Sequence, residues 1–151
     1  RAAGEAWAAH CQRGYSAVLE VFGGQLRSTI TCLECSNTSV TFDPFLDLSL
    51  PIPGGVAGLP GGGQCTLVDC LEAFAADEVL DAADAYYCDH CQARRPASKQ
   101  LRLQRCPPVL AVQVMRFSHS GAGQARHKLE TQLQVPEEGL DLTHLLAEGG
   151  A

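Results

Sequence analysis

Residues 22–52 read FGGQLRSTITCLECSNTSVTFDPFLDLSLPI and contain the first of two Cys-x-x-Cys pairs, Cys32 and Cys35. Alternating apolar and polar residues precede this pair, and β-branched and aromatic residues follow it, so it lies between two predicted strands. The second pair, Cys88 and Cys91, lies in the segment YYCDHCQARR. Each Cys-x-x-Cys turn places two thiolates on one side of a tight loop, and two such turns form a tetrahedral sulfur site for structural Zn²⁺. The spacing therefore predicts one zinc ion held by Cys32, Cys35, Cys88 and Cys91 at the tip of a β structure.

The four cysteines have two alternative interpretations, a redox-active pair or two pairs of buried thiols. A redox Cys-x-x-Cys opens a helix that follows a strand, and that position lowers the pKa of the thiol. The residues after Cys35 and after Cys91 predict no such helix. His90, inside the second turn, is a further candidate ligand, but four sulfur atoms already complete a tetrahedron. Structural zinc is the interpretation that the spacing favours.

The composition is that of one globular domain of 151 residues, with 46% hydrophobic and 19% charged residues. The net charge is −6 and the sequence has no basic stripe, which argues against direct binding of nucleic acid. The charge is compatible with a partner that presents a basic surface. No stretch approaches the ~20 apolar residues of a membrane-spanning helix, so no membrane partner is expected.

The cysteine pattern also bears on the cellular compartment. Paired Cys-x-x-Cys motifs favour metal binding over disulfides in a reducing compartment, and no signal peptide is visible at the N-terminus. We therefore expect an intracellular protein, in the nucleus and/or the cytoplasm. The chain begins and ends abruptly, so we expect residues 1–151 to be an internal fragment of something longer.

Strands dominate the predicted secondary structure. Apolar alternation and β-branched residues predict strands at 25–32, 38–42, 45–50, 98–103, 109–115 and 131–135. Pro44 is expected to end the second of these, because proline cannot donate to a strand ladder. The segment VLAVQVM at 109–115 is nearly all apolar, which predicts a central strand buried on both faces.

Two helices and a flexible insert complete the predicted architecture. Residues 16–22 predict a short helix stopped by Gly23. Thr66 and Asp69 match a capping box that opens a second helix, whose apolar face carries Leu67, Cys70, Leu71 and Phe74. Residues 53–63, PGGVAGLPGGG, have too little side-chain surface to pack and predict a flexible insert within the domain. Residues 121–123 predict a loop, and residues 140–146 a terminal helix or an irregular segment.

Four further cysteines, several histidines and one arginine are candidate site residues. Cys11, Cys65, Cys70 and Cys106 are expected to be small buried hydrophobic residues. A catalytic pair of Cys70 or Cys106 with His119 or His127 is the alternative. His10 and Cys11 together supply at most half of a second metal site. Arg116-Phe117, at the end of the apolar strand, is a candidate functional site, but a lone arginine there is expected to be solvated or ion-paired.

Three segments in order resemble the catalytic domain of the ubiquitin-specific proteases. They are FGGQLRSTITCLECSNTSVTFDPFLDLSLPI at 22–52, CTLVDCLEAF at 65–74, and YYCDHCQARRPASKQLRLQRCPPVLAVQVMRFSHS at 86–120. Lys128 and Val135-Pro136 also lie where this family tends to carry a basic residue and a strand-ending proline. Each segment alone is weak evidence, whereas the full order is specific to this family.

The resemblance implies an α+β, papain-like protease fold of which this chain contains the fingers and part of the palm. Antiparallel β fingers with a four-cysteine zinc ribbon and short helices are expected. It also implies a cysteine-type deubiquitinase, which hydrolyses isopeptide bonds at the C-terminus of ubiquitin. Ubiquitin and ubiquitinated proteins are the implied partners.

The sequence departs from the family at the catalytic residues. No glycine-rich Asn…Cys box precedes Tyr15, and no His-Ser-Gly…Gly-His-Tyr box follows Phe117, although residues 119–121 read His-Ser-Gly. We therefore expect no catalytic residue in this chain, and we expect the isolated chain to be inactive and to supply the part that holds ubiquitin. The alternatives are a non-catalytic ubiquitin-binding or scaffold protein and an unrelated zinc-ribbon adaptor.

Overall fold

A computed structural model describes residues 1–53, 64–118 and 127–150, without the side chains of Ala82, Ser118 and His127. The predicted insert beyond Pro53 and the predicted loop at 121–123 lie outside these residues. In chain order the described elements are α1 (Ala2–Arg13), α2 (Ala17–Phe22), β1 (Gly24–Cys32), β2 (Thr38–Phe45), β3 (Asp47–Pro51), β4 (Gln64–Thr66), α3 (Leu67–Ala75), β5 (Glu78–Leu80), β6 (Tyr86–Cys88), β7 (Ala93–Arg95), β8 (Ala97–Arg105), β9 (Ala111–Met115), β10 (Phe117–Ser118), β11 (His127–Lys128) and β12 (Gln132–Gln134). Short 3₁₀ turns span Ala82–Asp84 and Thr143–Leu145.

The long strands form a four-stranded sheet in the order β2-β1-β8-β5, with antiparallel pairing throughout. β1 pairs with β2 as far as Thr31 opposite Thr38, and with β8 as far as Cys32 opposite Ala97. The first Cys-x-x-Cys turn therefore lies at the far end of the β1–β2 hairpin. This sheet confirms the prediction of antiparallel β fingers.

The hydrophobic core lies at the opposite end of the molecule from the cysteine turns. There β3 and β9 pair in parallel, and α3 packs against β3 and β8. The buried members of the core are Leu48, Leu50, Ile52, Cys65, Leu67, Cys70, Leu71, Ala75, Leu103 and Leu145. Because β1 and β8 run from this core to the cysteine turns, the core fixes the base from which the sheet projects.

Two strand predictions were wrong. β2 continues through Pro44 to Phe45, because β2 has β1 as its one neighbour among the described residues and proline is tolerated on an edge strand. The apolar segment at 109–115 forms β9 from Ala111, and β3 is its one partner in the described part of the chain. Val112 and Val114 pack against the core, whereas Met115 on the other face is 46% exposed. A nearly all-apolar strand is thus buried on one face here.

The two predicted helices are confirmed, with the glycine end of the first and the capping box of the second. The Ser16 hydroxyl accepts a hydrogen bond from the Leu19 N–H at 3.2 Å, and the Gly23 N–H closes α2 on the Leu19 carbonyl. α3 opens with the predicted Thr66–Asp69 capping box. Its buried residues are Leu67, Cys70, Leu71 and Ala75, while Phe74 packs against the core from a half-buried position. Residues 140–146 are irregular apart from the 3₁₀ turn.

Helix α1 was not predicted, although its half-buried residues Ala3, Ala6, Trp7, His10 and Cys11 recur at helical spacing. α1 lies against β2, and two side-chain interactions join it to β1 and β8. The buried Gln25 side chain donates to the Ala3 carbonyl at 3.2 Å, and the Arg105 guanidinium lies 5.1 Å from the centre of the Trp7 ring. No helix in the described ranges is long and apolar enough to span a membrane.

Candidate metal centre

The structure brings together all four cysteines that the sequence predicts as ligands. The Sγ atoms of Cys32, Cys35, Cys88 and Cys91 lie within 4.8 Å of one another, and Cys35 Sγ is 3.6 Å from Cys88 Sγ. A tetrahedral zinc site with Zn–S bonds of about 2.3 Å has sulfur–sulfur edges of about 3.8 Å. A disulfide would bring two sulfurs to about 2.05 Å, and all four thiols are free. The spacing therefore fits a shared metal ion.

The two turns have the same backbone shape. Ser36 and Gln92, each directly after the second cysteine of its pair, adopt φ of 58° and 52°. They are the non-glycine residues with positive φ in the described chain. In the first turn this conformation lets the Ser36 N–H donate to the Cys32 carbonyl at 3.0 Å. The Cys32 N–H donates to the backbone carbonyl of Asn37. Both thiols of each pair thereby point to the same side of a closed turn.

Contacts between the turns hold the two pairs in register. The Leu33 N–H donates to the Pro96 carbonyl at 3.0 Å, which joins the first turn to the start of β8. Arg95 Nε lies 3.1 Å from Glu34 Oε2, in an ion pair that links β7 to the first turn. The β6–β7 hairpin that carries the second pair is thus held beside the end of β1 by the protein itself.

Backbone donors prepare the site for negative charge. The N–H of Cys35 and then that of Glu34 donate to the Cys32 sulfur and lower its pKa to about 7. The hydrogen bond that Cys91 shares with Cys35 raises the pKa of Cys91 to about 12, so the metal-free cluster retains protons. A divalent cation would displace these protons. Cys32 and Cys88 are fully buried, and the exposed His90 is not part of the cluster.

Two of the cysteines outside the cluster, Cys70 and Cys106, lie in environments that disfavour the thiolate. Cys65 and Cys70 are buried in the core, as predicted, and their sulfurs lie 3.5 Å apart. Burial raises the pKa of Cys70 to about 12. Burial also raises the pKa of Cys106, which is half-buried. The reactive form of cysteine is the thiolate, so these environments oppose reactivity. His119 and the side chain of His127 lie outside the described residues.

Cys11 is half-buried on α1, and it joins no metal-ligand group among the described residues. The neighbouring His10 ring lies 5.8 Å from the Trp7 ring, centre to centre. As expected from the sequence, His10 and Cys11 find no partner pair for a metal site in the described part of the chain.

Arg116 has a structural role that the sequence did not reveal. Its Nη1 donates to the Thr131 carbonyl at 2.8 Å and to the Leu129 carbonyl at 3.4 Å, and the Leu129 N–H donates to the Arg116 carbonyl. The expectation of a solvated or ion-paired arginine was wrong, because the partners are backbone carbonyls thirteen to fifteen residues away. Arg116 positions the segment that leads to β12.

A ribbon of four cysteines that joins two β-hairpins, on an α+β frame, defines a cysteine-ribbon finger domain. Residues 2–151 match the family described as "Ubiquitin carboxyl-terminal hydrolase". The chain belongs to this family. The resemblance to ubiquitin-specific proteases is confirmed.

Relatives in this family cover most of the chain. The chain is 38% identical over 142 residues to ubiquitin carboxyl-terminal hydrolase 2 of Gallus gallus. This alignment covers 94% of this chain and 38% of the relative. It is 36% identical over 144 residues to ubiquitin carboxyl-terminal hydrolase 3 of Homo sapiens, covering 91% of this chain and 27% of the relative. The chain therefore spans well under half the length of these relatives.

A solved structure shows the same fold. The structure of the SAGA Ubp8/Sgf11/Sus1/Sgf73 DUB module bound to ubiquitin aldehyde aligns with a TM-score of 0.72 and 29% sequence identity. The alignment covers 96% of this chain and 30% of the solved chain. The predicted fold class, a partial ubiquitin-specific protease fold with antiparallel fingers, is confirmed.

Proposed function

We propose that this chain supplies the zinc-stabilised fingers that hold ubiquitin in a cysteine-type deubiquitinase. The deubiquitinase would hydrolyse isopeptide bonds at the C-terminus of ubiquitin in ubiquitinated proteins. The observation that carries the proposal is the cluster of four Sγ atoms within 4.8 Å, which joins two hairpins in a chain of this hydrolase family. The solved structure with the same fold is bound to ubiquitin aldehyde, which supports ubiquitin as the partner.

Zinc is the metal that the donor set suits best. The four thiolates are soft ligands, and their sulfur atoms are close enough together to bind one ion tetrahedrally. Mg²⁺ and Ca²⁺ instead require oxygen ligands. Bound zinc would supply a cross-link between β1 and the β6–β7 hairpin. Because the site forms only in the folded chain, the free energy of zinc binding would stabilise the folded state. We propose an intracellular location, in the nucleus and/or the cytoplasm, because a cluster of free thiols persists in a reducing compartment.

The role assigned to the described residues is holding rather than cutting. Cutting by cysteine requires a thiol within hydrogen-bond reach of a base, so that a thiolate forms near neutral pH. Cys70 and Cys106 are instead thiols whose pKa is raised by burial. The sheet formed by β2, β1, β8 and β5 presents a broad surface anchored at one end by the core and at the other by the cysteine cluster.

Titration of ¹⁵N-labelled ubiquitin with the zinc-loaded chain tests the holding role. We expect saturable chemical-shift changes on one face of ubiquitin, and we expect Cys88→Ser to weaken them because it removes a metal ligand. Cys106→Ser, which changes a cysteine outside the cluster, is the matched control and should bind as the unmodified chain does. The absence of binding at millimolar concentration would contradict the proposal.

A second measurement separates holding from cutting. A ubiquitin probe with a cysteine-trapping electrophile at its C-terminus should form no adduct with the isolated chain. A specific adduct, located by mass spectrometry at one cysteine, would show that this chain carries a nucleophile after all.

A further inference from the structure

Two arginines face each other across the finger sheet. Arg27 on β1 and Arg102 on β8 are directly opposite in the antiparallel register. Side chains of directly opposed residues project from the same face, with Cβ atoms about 4.5–5.5 Å apart. Two like charges in this position repel each other, so the pair is unfavourable unless an anion or a polar group compensates it.

Arg102 is partly satisfied within the protein. Its Nη1 donates to the carbonyl of Ala75, the last residue of α3, and to the Leu101 carbonyl at 3.2 Å. A cation that binds the last carbonyl of a helix also interacts favourably with the helix dipole. The Nε and Nη2 groups of Arg102 have no acceptor among the described residues, so part of its donor set remains available.

Arg27 is not satisfied within the described part of the chain. Its Nε is buried and has no hydrogen-bond acceptor there. Neither Arg27 nor Arg102 has a carboxylate oxygen within 4.0 Å among those residues. A buried donor without an acceptor is unfavourable, more so when the group is charged, and therefore indicates a ligand or another compensating group.

A cavity of about 320 Å³ lies beside the two guanidinium groups. Its lining residues are Arg27, Thr29, Gln100, Arg102, Leu146, Ala147 and Glu148. The Gln100 amide donates to Asp77 at 2.6 Å and has a second N–H, so the donors that line the cavity are the two guanidinium groups, the Thr29 hydroxyl and this N–H. Glu148 contributes one carboxylate to the lining, with no oxygen within 4.0 Å of either guanidinium group. The two arginines therefore exceed the acidic lining by one positive charge in a chain of net charge −6, with room for a further carboxylate.

We propose that Arg27 and Arg102 form a carboxylate-binding site that receives an acidic side chain of ubiquitin when the fingers hold it. A planar guanidinium presents parallel N–H groups that match a carboxylate in a bidentate pair. The occupant rests on the proposed function, because the site belongs to the same sheet that is proposed to hold ubiquitin. A free phosphate shares the chemistry of this site, and the experiment distinguishes the two sources.

The site itself is tested without ubiquitin. The Nε–H signal of Arg27 in the zinc-loaded chain is followed by NMR during titration with acetate and, separately, with inorganic phosphate. We expect a saturable shift with acetate that Arg102→Gln weakens. Arg13→Gln removes one positive charge from the exposed surface of α1 and should leave the acetate titration unchanged. An Arg27 signal that does not respond to either anion would overturn the site.

The occupant is tested with ubiquitin. Arg27→Gln should weaken the affinity for ubiquitin about tenfold and reduce its salt dependence, since one charge-assisted contact is lost. Arg27→Lys keeps the charge but loses the planar fork, so its affinity should be intermediate. Arg13→Gln should bind within about twofold of the unmodified chain.

The outcomes separate this inference from the proposed function. If the unmodified chain binds ubiquitin and Arg27→Gln binds it equally well, the inference is wrong and the proposed function stands. If phosphate saturates the site while Arg27→Gln leaves ubiquitin binding unchanged, the site serves a free anion and the inference is likewise wrong. If the unmodified chain does not bind ubiquitin, both the proposed function and this occupant fail.

Discussion

The Sγ atoms of Cys35 and Cys88 lie 3.6 Å apart although 53 residues separate the two cysteines in the chain. A cross-link between positions so distant closes a long loop, and closing a long loop removes more conformational entropy from the unfolded chain than closing a short one. A metal ion bound between them therefore stabilises the whole sheet rather than a single turn. The core end and the cysteine end of the sheet become two independent anchors.

Cys88→Ser should remove the metal and destabilise the sheet. We expect elemental analysis to fall from about one zinc per chain to near none, because three thiolates and a hydroxyl bind zinc far more weakly than four thiolates. The thermal midpoint should fall with it. Cys106→Ser is the matched control and should retain zinc. Retention of one zinc per chain by Cys88→Ser would show that the assignment of the four ligands is wrong.

Gly24→Ala should destabilise the base of the fingers. A Cβ on Gly24 would overlap the ring of Phe45, its cross-strand partner on β2. Displacement of this ring from its packing against the core should cost about 1–3 kcal/mol in urea denaturation. In Gly4→Ala, by contrast, the new methyl group meets no atom within 4 Å and lies in α1, so that variant should be about 0.5–1 kcal/mol more stable. Equal stability of Gly24→Ala and the unmodified chain would mean that the ring moves aside without cost.

Arg116→Gln should loosen the segment from Leu129 to β12. The change removes two charge-assisted hydrogen bonds to backbone carbonyls, which should cost about 1.5–3 kcal/mol. Hydrogen exchange at the Leu129 amide should become faster. Arg94→Gln removes an exposed hydrogen bond to the Ala85 carbonyl and should cost about 0.5 kcal/mol or less. If the two variants were equally stable, Arg116 would not hold this segment.

The features that the sequence predicted correctly depend on local patterns. The alternation of apolar and polar residues in β1, the spacing of the two cysteines within each pair and the Thr66–Asp69 capping box are local. Each involves residues within about ten positions of one another. Two Cys-x-x-Cys turns together supply the four ligands of one tetrahedral metal site. Their proximity in the fold could therefore be inferred although a long insert separates them in sequence. Such patterns are visible without knowledge of the tertiary structure.

The features that were missed depend on neighbours that only the fold supplies. Pro44 lies within β2 because that strand is at an edge, and Arg116 binds carbonyls of a returning segment. The positive φ values at Ser36 and Gln92 follow from closing the turns around a common point. Helix α1 is the exception, because it is Ala-rich and carries Ala3, Trp7 and Cys11 on one face, so propensity and periodicity could have detected it.

Asp69→Asn should remove a pH-dependent part of the stability. The Thr66 backbone N–H donates to Asp69 Oδ2 at 2.7 Å and, together with the Thr66 hydroxyl, holds the pKa of Asp69 below its ordinary value of 3.8. A carboxyl whose pKa is lower in the folded state contributes stability above its unfolded pKa and loses it as the pH falls through the folded pKa. At neutral pH the variant should therefore be less stable, and the difference should shrink below pH 3.8.

The control for this pH dependence is Glu72→Gln, which removes one negative charge from the same helix at an exposed position with no hydrogen bond among the described contacts. Urea midpoints measured from neutral pH to about pH 3 compare the two variants. Both should lose zinc to the same extent in acid, because the four thiolates are protonated in either background. The difference between the variants thus isolates the cap. A gap between Asp69→Asn and Glu72→Gln that stays constant down to the lowest pH would mean that the charge of Asp69 contributes nothing, and that the box stabilises α3 through neutral hydrogen bonds alone.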